Sequence, residues 1–324
     1  MNIGIVGTST IVPWFTESLK DYASVKTTAL YSRSYEKGKD FAENNNIEKV
    51  YTDLEEMCSD PDIDTIYIVS PNVLHYPQAK TAILHGKNVI VEKPFCAALK
   101  QAEELFRLAE EKNVKLFDMS LSREYSRFLL IEEYRDRLGK IRLYKDNRSQ
   151  YSRRYDAFLA GQTPNVFSPE MEGGALMDLN VYNIALMVML FGRPDEVYYM
   201  ANTERGIDTG GELILKYPEL ICESSSSKCS AGRNIILVQG EKGYLTIDRG
   251  FNPPAGSTYL QLNGKDREEI NPLFVQQDMS RIVRCLQEND SAVYEQEKER
   301  ILTIVEILEK ARRCAGLIFP GDRN

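Results

Sequence analysis

Near its start the chain carries Asn2-Ile3-Gly4-Ile5-Val6-Gly7-Thr8-Ser9-Thr10-Ile11-Val12, a short β-branched run that ends in a turn and leads into an amphipathic stretch. A dinucleotide-binding fold has G-x-G-x-x-G/A at such a turn, so that backbone amides at a helix N-terminus approach a pyrophosphate. Only the first glycine is present here, with Ser9 and Val12 in the other two places. A plain tight turn fits the motif nearly as well, but its place between a strand and a helix favours phosphate binding.

The first 120 residues alternate strand and helix patterns. The predicted strands are residues 2–6, 26–32, 48–51, 65–70, 88–92 and 114–120. The predicted helices between them are residues 11–22, 35–44, 54–58, 76–85 and 99–112. Ser34 and Asp53 stand where N-caps are expected, and Pro13 falls in a first helical turn. This alternation predicts βαβ units and a parallel sheet, hence a doubly wound Rossmann domain over residues 1–120.

The regular alternation of predicted strands and helices ends after residue 120. A helix over 123–138, a strand over 140–151 and a helix over 175–191 are separated by an irregular stretch that reaches residue 172. The strand-like runs that follow are residues 196–201, 212–217, 220–225, 234–239 and 244–248, and the last two helices are predicted over 274–288 and 292–314. Short connections suit antiparallel hairpins. Residues 121–324 are therefore predicted to form an α+β domain with a large, mainly antiparallel open sheet. Whether the C-terminal helix packs back on the first domain stays open.

Composition excludes several classes of protein. The chain has 324 residues, enough for two domains, and a net charge of -8, which argues against a nucleic-acid footprint. Six scattered cysteines without a C-x-x-C pair favour free thiols in a reducing compartment. Residues 1–7 show no signal-peptide pattern, and the longest apolar run, 184–191, is too short to span a bilayer. We therefore expect a cytoplasmic protein without a membrane partner.

The end of the second strand favours NADP over NAD. An NAD site usually places an acidic residue there for the ribose 2′-hydroxyl, whereas this chain has Tyr31-Ser32-Arg33-Ser34. A hydroxyl followed by Arg33, with Lys37 one turn on, suits a 2′-phosphate. The alternative is a solvent-facing arginine at the start of a loop.

Two further strand ends carry polar residues. Ser70-Pro71-Asn72 follows the fourth strand, where Rossmann ligands lie, and His75 opens the next helix. Glu92-Lys93-Pro94 follows the fifth strand, and a lysine there can hold a substrate hydroxyl and take part in proton transfer. His85 ends its helix and is expected to interact with the helix dipole.

In the second domain, Gly173-Gly174-Ala175-Leu176-Met177-Asp178 opens a long helix, and Tyr182 follows one turn after the aspartate. Asp178 and Tyr182 are i and i+4 and are expected to share a helix face. A carboxylate and a phenol together could hold and protonate an alkoxide. A buried tyrosine whose hydroxyl is satisfied by the aspartate is the structural alternative.

Three segments together, Ser70-Pro71-Asn72…His75, residues 86–94 and residues 173–178, resemble the glucose–fructose oxidoreductase / inositol dehydrogenase (Gfo/Idh/MocA) family. The likeness covers essentially the whole chain. It implies a Rossmann domain, a C-terminal domain with an open sheet that often forms a homodimer interface, and NAD(P)-dependent oxidation or reduction of sugars, polyols or diols. Tyr182 takes the final place of the family's D-x-G-x-H/Y motif. This resembles the branch of glucose–fructose oxidoreductase and dimeric dihydrodiol dehydrogenase, in which that tyrosine is the acid/base.

The resemblance implies site residues one by one. The catalytic residues are expected to be Lys93, Asp178 and Tyr182, and the substrate ligands Lys93, Arg123, Asn165, Asp178 and Tyr182, with Asn165 in a loop over 159–167. The residues expected to bind the cofactor are Gly7, Thr8, Ser9, Thr10, Ile11, Ser32, Arg33, Lys37, Ser70, Pro71, Asn72, His75, Glu92, Lys93 and Pro94. Asn180 departs from the pattern by replacing the motif glycine.

The function predicted from these residues is NAD(P)-dependent hydride transfer to or from a hydroxyl or carbonyl carbon, with NADP preferred, NAD possible and no metal. The expected partners are a small sugar, polyol or diol and a second copy of the chain. One alternative is a catalytically silent cofactor-binding sensor, which the incomplete glycine turn favours. A purely structural protein would leave Lys93, Asp178 and Tyr182 unexplained.

Overall fold

The computed structural model of the protein describes residues 1–248, 257–270 and 277–322. The chain divides into two units. The first comprises Met1–Ser122 and Gln277–Val305, and the second comprises Arg123–Gln276 and Glu306–Asn324. Helix α6 (Met119–Leu138) therefore begins in the first unit and continues into the second, and the last long helix does the same.

The first unit is built on a six-stranded sheet in the order β3-β2-β1-β4-β5-β6, whose neighbouring strands all pair in parallel. Its strands are β1 (Asn2–Val6), β2 (Lys26–Tyr31), β3 (Lys49–Tyr51), β4 (Thr65–Ile68), β5 (Asn88–Val91) and β6 (Leu116–Asp118). This is the strand order of a dinucleotide-binding Rossmann fold, so the predicted fold of this part is confirmed. The order reverses between β1 and β4, and ligands of such folds lie at the carboxyl ends of the strands there.

Helices cover this sheet, which explains why its central strands are buried almost residue for residue. They are α1 (Val12–Ser18), α2 (Tyr35–Asn44), α3 (Leu54–Ser59), α4 (His75–Leu84), α5 (Leu99–Lys112), α9 (Ser280–Gln287) and the first part of α10 (Ser291–Cys314). Two predicted N-caps are confirmed: the hydroxyl of Ser34 accepts from the Lys37 amide at 3.5 Å, and Asp53 accepts from the Glu55 amide at 2.8 Å. Pro13 lies in the first turn of α1, as predicted.

Several predicted boundaries in this unit were wrong, and the ends of two elements have a local cause. The strand predicted over 114–120 stops at Asp118, because the Asp118 carboxylate accepts a hydrogen bond from the Ser120 amide (2.7 Å) and begins α6 at Met119. The helix predicted over 11–22 ends at Ser18, and a turn closed by the Tyr22 amide on the Leu19 carbonyl (2.9 Å) follows it.

In the described part of the second unit, eight strands form a sheet in the order β14-β13-β12-β11-β7-β10-β9-β8. Its strands are β7 (Ile141–Ser149), β8 (Glu196–Glu204), β9 (Ile207–Lys216), β10 (Ile221–Ser227), β11 (Ile235–Gly240), β12 (Gly243–Asp248), β13 (Thr258–Leu262) and β14 (Glu268–Ile270). All neighbours pair antiparallel except β7 and β10. The predicted large, mainly antiparallel sheet is confirmed, including the hairpins β9–β10 and β11–β12.

Helix α8 (Val181–Phe191) forms the core of this unit against β7 and β10. By length and composition the segment Pro169–Phe191 could cross a membrane, but 89% of its apolar window is buried inside the protein, as in the core helix of a folded domain. The apolar run 184–191 is the C-terminal end of this segment, whose earlier part includes Glu170, Glu172 and Asp178.

The remaining differences concern irregular segments. The stretch before residue 172 contains a short helix α7 (Tyr155–Leu159) and two 3₁₀ turns, Asn165–Phe167 and Pro169–Met171. The helix predicted from residue 175 starts with a π-helical turn, Leu176–Asn180. The helix predicted over 274–288 is α9, Ser280–Gln287, and residues 274–276 lie outside the described part of the chain.

Candidate active site

The turn after β1 packs closely against the end of β4. Gly7 has φ +115°, and a Cβ there would lie 3.3 Å from the Ser70 amide nitrogen and from the Val69 carbonyl. The Gly7 amide donates to the Tyr31 carbonyl at 3.1 Å. A side chain at this position would push the turn away from the crevice edge of the sheet. Of the three glycine positions of the dinucleotide-binding motif, the chain retains Gly7, and the backbone conformation of the turn requires glycine at this position.

The two other motif positions are structurally accommodated without glycine. The Ser9 carbonyl accepts from the Val12 amide at 3.1 Å, and the Ser9 hydroxyl accepts from the Ile11 amide at 3.5 Å. The Val12 side chain is fully buried in the core of the first unit. The incomplete glycine motif therefore still forms a strand–turn–helix element, with the half-exposed Ser9 at the turn.

Two cations lie at the carboxyl end of β2. Arg33 and Lys37 are exposed, and the Ser34 cap between them starts α2. Ser32, in contrast, is buried, and its hydroxyl accepts from the Ser34 amide at 3.4 Å. Of the three residues predicted to bind a 2′-phosphate, the two basic side chains are thus accessible to an anion, and Ser32 helps to shape the turn.

The loops after β4 and β5 are tied together by His75. Its ring is 1% exposed, with Nδ1 2.8 Å from the Pro94 carbonyl oxygen and Nε2 2.9 Å from the Ser70 carbonyl oxygen. Burial lowers the pKa of His75, and the two carbonyl oxygens oppose this shift. The sequence predicted that His75 contacts the cofactor; the structure places its ring on the backbone of the two loops that carry the other candidates.

The Glu92-Lys93-Pro94 segment is braced from within the unit. The Glu92 carboxylate is buried and accepts from the Tyr67 hydroxyl at 2.6 Å and from the Lys93 amide at 3.2 Å. Lys93 itself is half-buried, and its peptide bond to Pro94 is cis. Glu92 therefore fixes the backbone from which the Lys93 side chain projects. The cofactor contact predicted for Glu92 stays a prediction.

Asp118 is a buried acid at the carboxyl ends of the parallel strands and was not predicted as a site residue. It lies at the end of β6, where its neighbour in register on β5 is Val91. Burial raises its pKa to about 7, and the charges of Glu92 and Glu297 add to the shift. No motif marks Asp118 in the sequence, because only the fold brings these carboxylates together.

In the second unit, the start of the helix with Asp178 and Tyr182 is anchored by a buried carboxylate. Asp208, on β9, accepts from the Leu176 amide at 2.7 Å and from the Tyr199 hydroxyl at 2.9 Å. Gly174 has φ +101°, and a Cβ there would lie 2.0 Å from Asp208 Oδ1. The glycine before the helix is therefore required by the approach of Asp208, which sequence reasoning missed.

Asp178 lies in the π-helical turn and forms an ion pair with Lys228. The ammonium group of Lys228 also lies 5.4 Å from the centre of the Phe167 ring. π-Helical turns are frequent at functional sites. Lys228 was not among the residues predicted from the sequence. It follows a serine-rich strand and lies 50 residues after Asp178 in the chain, so no local motif contains both residues.

Tyr182 is buried and surrounded by arginines. Its hydroxyl oxygen accepts a hydrogen bond from Arg123 at 2.9 Å, and the Arg148 guanidinium lies 3.9 Å from the ring centre. Arg148 is in turn bound to Glu124 at 3.1 Å, and Arg127 to the same carboxylate at 3.4 Å. Because a guanidinium has no acceptor, the phenolic proton is not used in the bond to Arg123.

Asn180, which departs from the family pattern, is buried in a polar network. Its side-chain oxygen accepts from the Ser224 hydroxyl on β10 and from the Asn183 amide group at 3.1 Å. The extra side chain thus joins the helix to the sheet.

The loop predicted to contact substrate is held by the β8–β9 hairpin. Arg205 donates to the carbonyls of Phe158 (2.6 Å) and Gln162 (2.9 Å), and its guanidinium lies 3.5 Å from the Phe158 ring centre. Asn165 begins a 3₁₀ turn and is exposed. The candidate residues therefore form two groups, one in each unit.

No group of three or more His, Cys, Asp or Glu side chains within the described ranges is arranged to hold a metal ion. None of the six cysteines, all of which lie in the described ranges, forms a disulfide.

Comparison with known proteins assigns both parts of the chain to the same family. Residues 1–119 match the family model GFO_IDH_MocA, "Oxidoreductase family, NAD-binding Rossmann fold", and residues 134–246 match the "GFO/IDH/MocA C-terminal domain". Over 335 residues the chain is 33% identical to the scyllo-inositol 2-dehydrogenase (NADP(+)) IolU of Bacillus subtilis (strain 168), with 100% of this chain and 99% of that protein covered.

A second relative is the trans-1,2-dihydrobenzene-1,2-diol dehydrogenase of Mus musculus, 26% identical over 344 residues, with 99% of this chain and 98% of that protein covered. Among solved structures, KijD10, a 3-ketoreductase from Actinomadura kijaniata in complex with TDP-benzene and NADP, is similar with a TM-score of 0.81 and 22% identity. That match covers 97% of this chain and 98% of the other, and it shows a shared fold.

Proposed function

The chain belongs to the Gfo/Idh/MocA family of oxidoreductases, and on this premise we propose that it transfers a hydride between NADP and a CH–OH carbon of a cyclic polyol or diol. The observation that carries the proposal is the setting of Tyr182, a buried phenol whose oxygen accepts a hydrogen bond from Arg123 and whose ring lies against the Arg148 guanidinium. Such a phenol can exchange a proton with a substrate oxygen.

The residues at the end of β2 fit an NADP cofactor. Arg33 and Lys37 are exposed beside the start of α2, and the strand end lacks the carboxylate that would bind a ribose 2′-hydroxyl. The Gly7 turn, with Thr8, Ser9, Thr10 and Ile11, would hold the pyrophosphate. The loops with Ser70, Pro71, Asn72 and Pro94 would line the nicotinamide half. The relative IolU is named as an NADP(+) enzyme, which supports the same choice.

Each proposed catalytic residue has one role. The bound nicotinamide supplies or accepts the hydride. Lys93 binds a substrate oxygen, and Tyr182 exchanges a proton with a substrate oxygen. The ionised Asp178 accepts a hydrogen bond from a substrate hydroxyl, and Arg123 and Asn165 are further substrate ligands. A diol or polyol has more than one hydroxyl group and can therefore bind to more than one of these residues. The relatives named above are dehydrogenases, which supports this function over a silent sensor.

The exposed face of the second sheet suits a homodimer. Leu143, Tyr198, Met200 and Ile221 are large apolar side chains that are exposed on strands β7, β8 and β10. We propose that a second copy covers this face and that the enzyme is cytoplasmic. Light scattering of Met200→Lys, with Leu84→Lys as an exposed control in the first unit, tests the dimer: only Met200→Lys should give monomer.

The activity is tested by incubating the protein with NADP and scyllo-inositol, or with trans-1,2-dihydrobenzene-1,2-diol, and following NADPH formation by its absorbance. We expect saturable turnover with at least one cyclic polyol or diol, and slower turnover with NAD. If neither these compounds nor the corresponding ketones react, although NADPH binds tightly, the sensor alternative would replace the proposed function.

A further inference from the structure

A lysine outside the family's motifs lies against a proposed catalytic residue. Lys228 directly follows β10, and its backbone amide donates to the Thr209 carbonyl at 2.8 Å, so the sheet fixes its position. Its side chain is only 5% exposed. Its ammonium group donates a hydrogen bond to Oδ2 of Asp178 and approaches the Phe167 ring. The lysine is thus directed into the unit, toward the π-helical turn.

A buried ammonium group is costly unless it is paired. Lys228 interacts with two carboxylates that both act on the same helix start. One is Asp178, in the π-helical turn, and the other is Asp208, which binds the Leu176 amide. Burial raises the pKa of Asp208, and the charge of Lys228 opposes that shift. The positive charge of Lys228 therefore favours the ionised forms of both Asp178 and Asp208.

Resting on the proposed function, we propose that Lys228 is a positioning residue, which holds the Asp178 carboxylate ionised and oriented to accept a hydrogen bond from a substrate hydroxyl. A protonated aspartic acid would carry a proton on one of its two oxygens and would offer a poorer acceptor. A rotated carboxylate would lose the geometry that catalysis needs, and small misplacements of such groups have large effects on rate. Lys228 acts through Asp178 and does not itself touch substrate.

The test compares Lys228→Met, Lys228→Arg, Asp178→Asn and the double variant Lys228→Met/Asp178→Asn in the full chain. Turnover is measured with NADP and scyllo-inositol, and NADPH affinity is measured by quenching of Trp14 fluorescence. We expect Lys228→Met to lower kcat/KM by about tenfold to a hundredfold with NADPH affinity unchanged. Lys228→Arg should recover part of the loss. The double variant should be no slower than Asp178→Asn alone, because Lys228 then has nothing left to position.

The matched control is Lys87→Met in the first unit. Lys87 is also buried, but its ammonium group donates to the carbonyls of Asp60 (2.8 Å) and Ile63 (2.7 Å) at the amino end of β5. Its loss should lower the thermal stability and leave kcat/KM near the wild-type value at a temperature where the variant is folded. If Lys228→Met and Lys87→Met lowered kcat/KM by the same factor, the role of Lys228 would be purely structural and the proposal would be overturned.

A second measurement does not depend on turnover. The carbon-13 shift of the Asp178 carboxyl group, followed against pH, should show protonation at a higher pH in Lys228→Met than in the wild type. An unchanged titration would overturn the proposal, as would a double variant whose loss equals the product of the two single losses. Full activity of Asp178→Asn would instead contradict the role of Asp178 in the proposed function. If Asp178→Asn lost activity while Lys228→Met kept the wild-type activity, only the role of Lys228 would be refuted.

Discussion

Replacing Asp118 by Asn should make the protein more stable at neutral and alkaline pH. Asp118 is buried at the end of β6, and burial raises its pKa to about 7. An unfolded aspartate has a pKa of about 3.9, so the folded protein binds this proton more tightly than the unfolded chain. The stabilising contribution of the bound proton is fully present below about pH 4 and is lost as pH rises through the folded-state pKa of about 7.

The size of the effect follows from the two pKa values. They differ by about three units, and one unit corresponds to about 1.4 kcal/mol, so ionisation of Asp118 costs the folded state roughly 4 kcal/mol above pH 7. Asn keeps the acceptor for the Ser120 amide and removes the ionisation. The free energy of unfolding of Asp118→Asn should therefore match the wild type within about 1 kcal/mol at pH 4, where both side chains are neutral. At pH 8 it should exceed the wild type by up to about 4 kcal/mol.

The assay is urea unfolding of both proteins at a series of pH values, with equal slopes as the condition for comparing their free energies. Other groups that titrate in this range, such as Glu172, are shared by both proteins, so the difference between the curves isolates Asp118. A difference that does not change between pH 4 and pH 8, or that makes the variant less stable at alkaline pH, would refute the reasoning.

Two further predictions concern the candidate site. Gly174→Ala should destabilise the protein by about 2 to 6 kcal/mol, because a Cβ would overlap Asp208 at a positive φ; Gly192→Ala, which also has positive φ but open space, should cost less in thermal or urea unfolding. Arg33→Ala should weaken NADPH binding about tenfold and leave NADH binding within about twofold, because only NADPH has the 2′-phosphate. Quenching of the half-exposed Trp14 measures both affinities, and equal weakening of both would contradict the assigned contact.

The doubly wound parallel fold of the first unit could be predicted because its periodicity, caps and turn residues all agreed. Ser34 and Asp53 cap their helices as their positions indicated. The strand predicted over 114–120 forms as Leu116–Asp118, and its predicted end was wrong because the Asp118 side chain starts a helix at Met119. Strands β13 and β14 were not predicted. β14, at the sheet edge, has only three residues, two of them charged, and gives a weak alternating signal, whereas β13 (Thr-Tyr-Leu-Gln-Leu) has the composition of a strand and was missed.

The candidate site was predictable where residues lie close together in sequence. Asp178 and Tyr182 could be named from one motif, and Lys93 from another. Lys228 and Arg148 could not, because each reaches its partner only through the sheet that joins β7, β10 and the helix. Asp178, in the π-helical turn, pairs with Lys228, and Tyr182 accepts from Arg123, and neither of these two contacts was predicted from the motif.

The most direct test of the central claim is the turnover of Tyr182→Phe with NADP and whichever polyol or diol the wild type oxidises. The substitution removes only the hydroxyl group and leaves the ring beneath the Arg148 guanidinium. We predict that kcat falls on the order of a hundredfold to ten-thousandfold, while NADPH affinity and thermal stability stay close to those of the wild type. Full turnover of Tyr182→Phe would contradict the proposed role of this tyrosine in proton exchange.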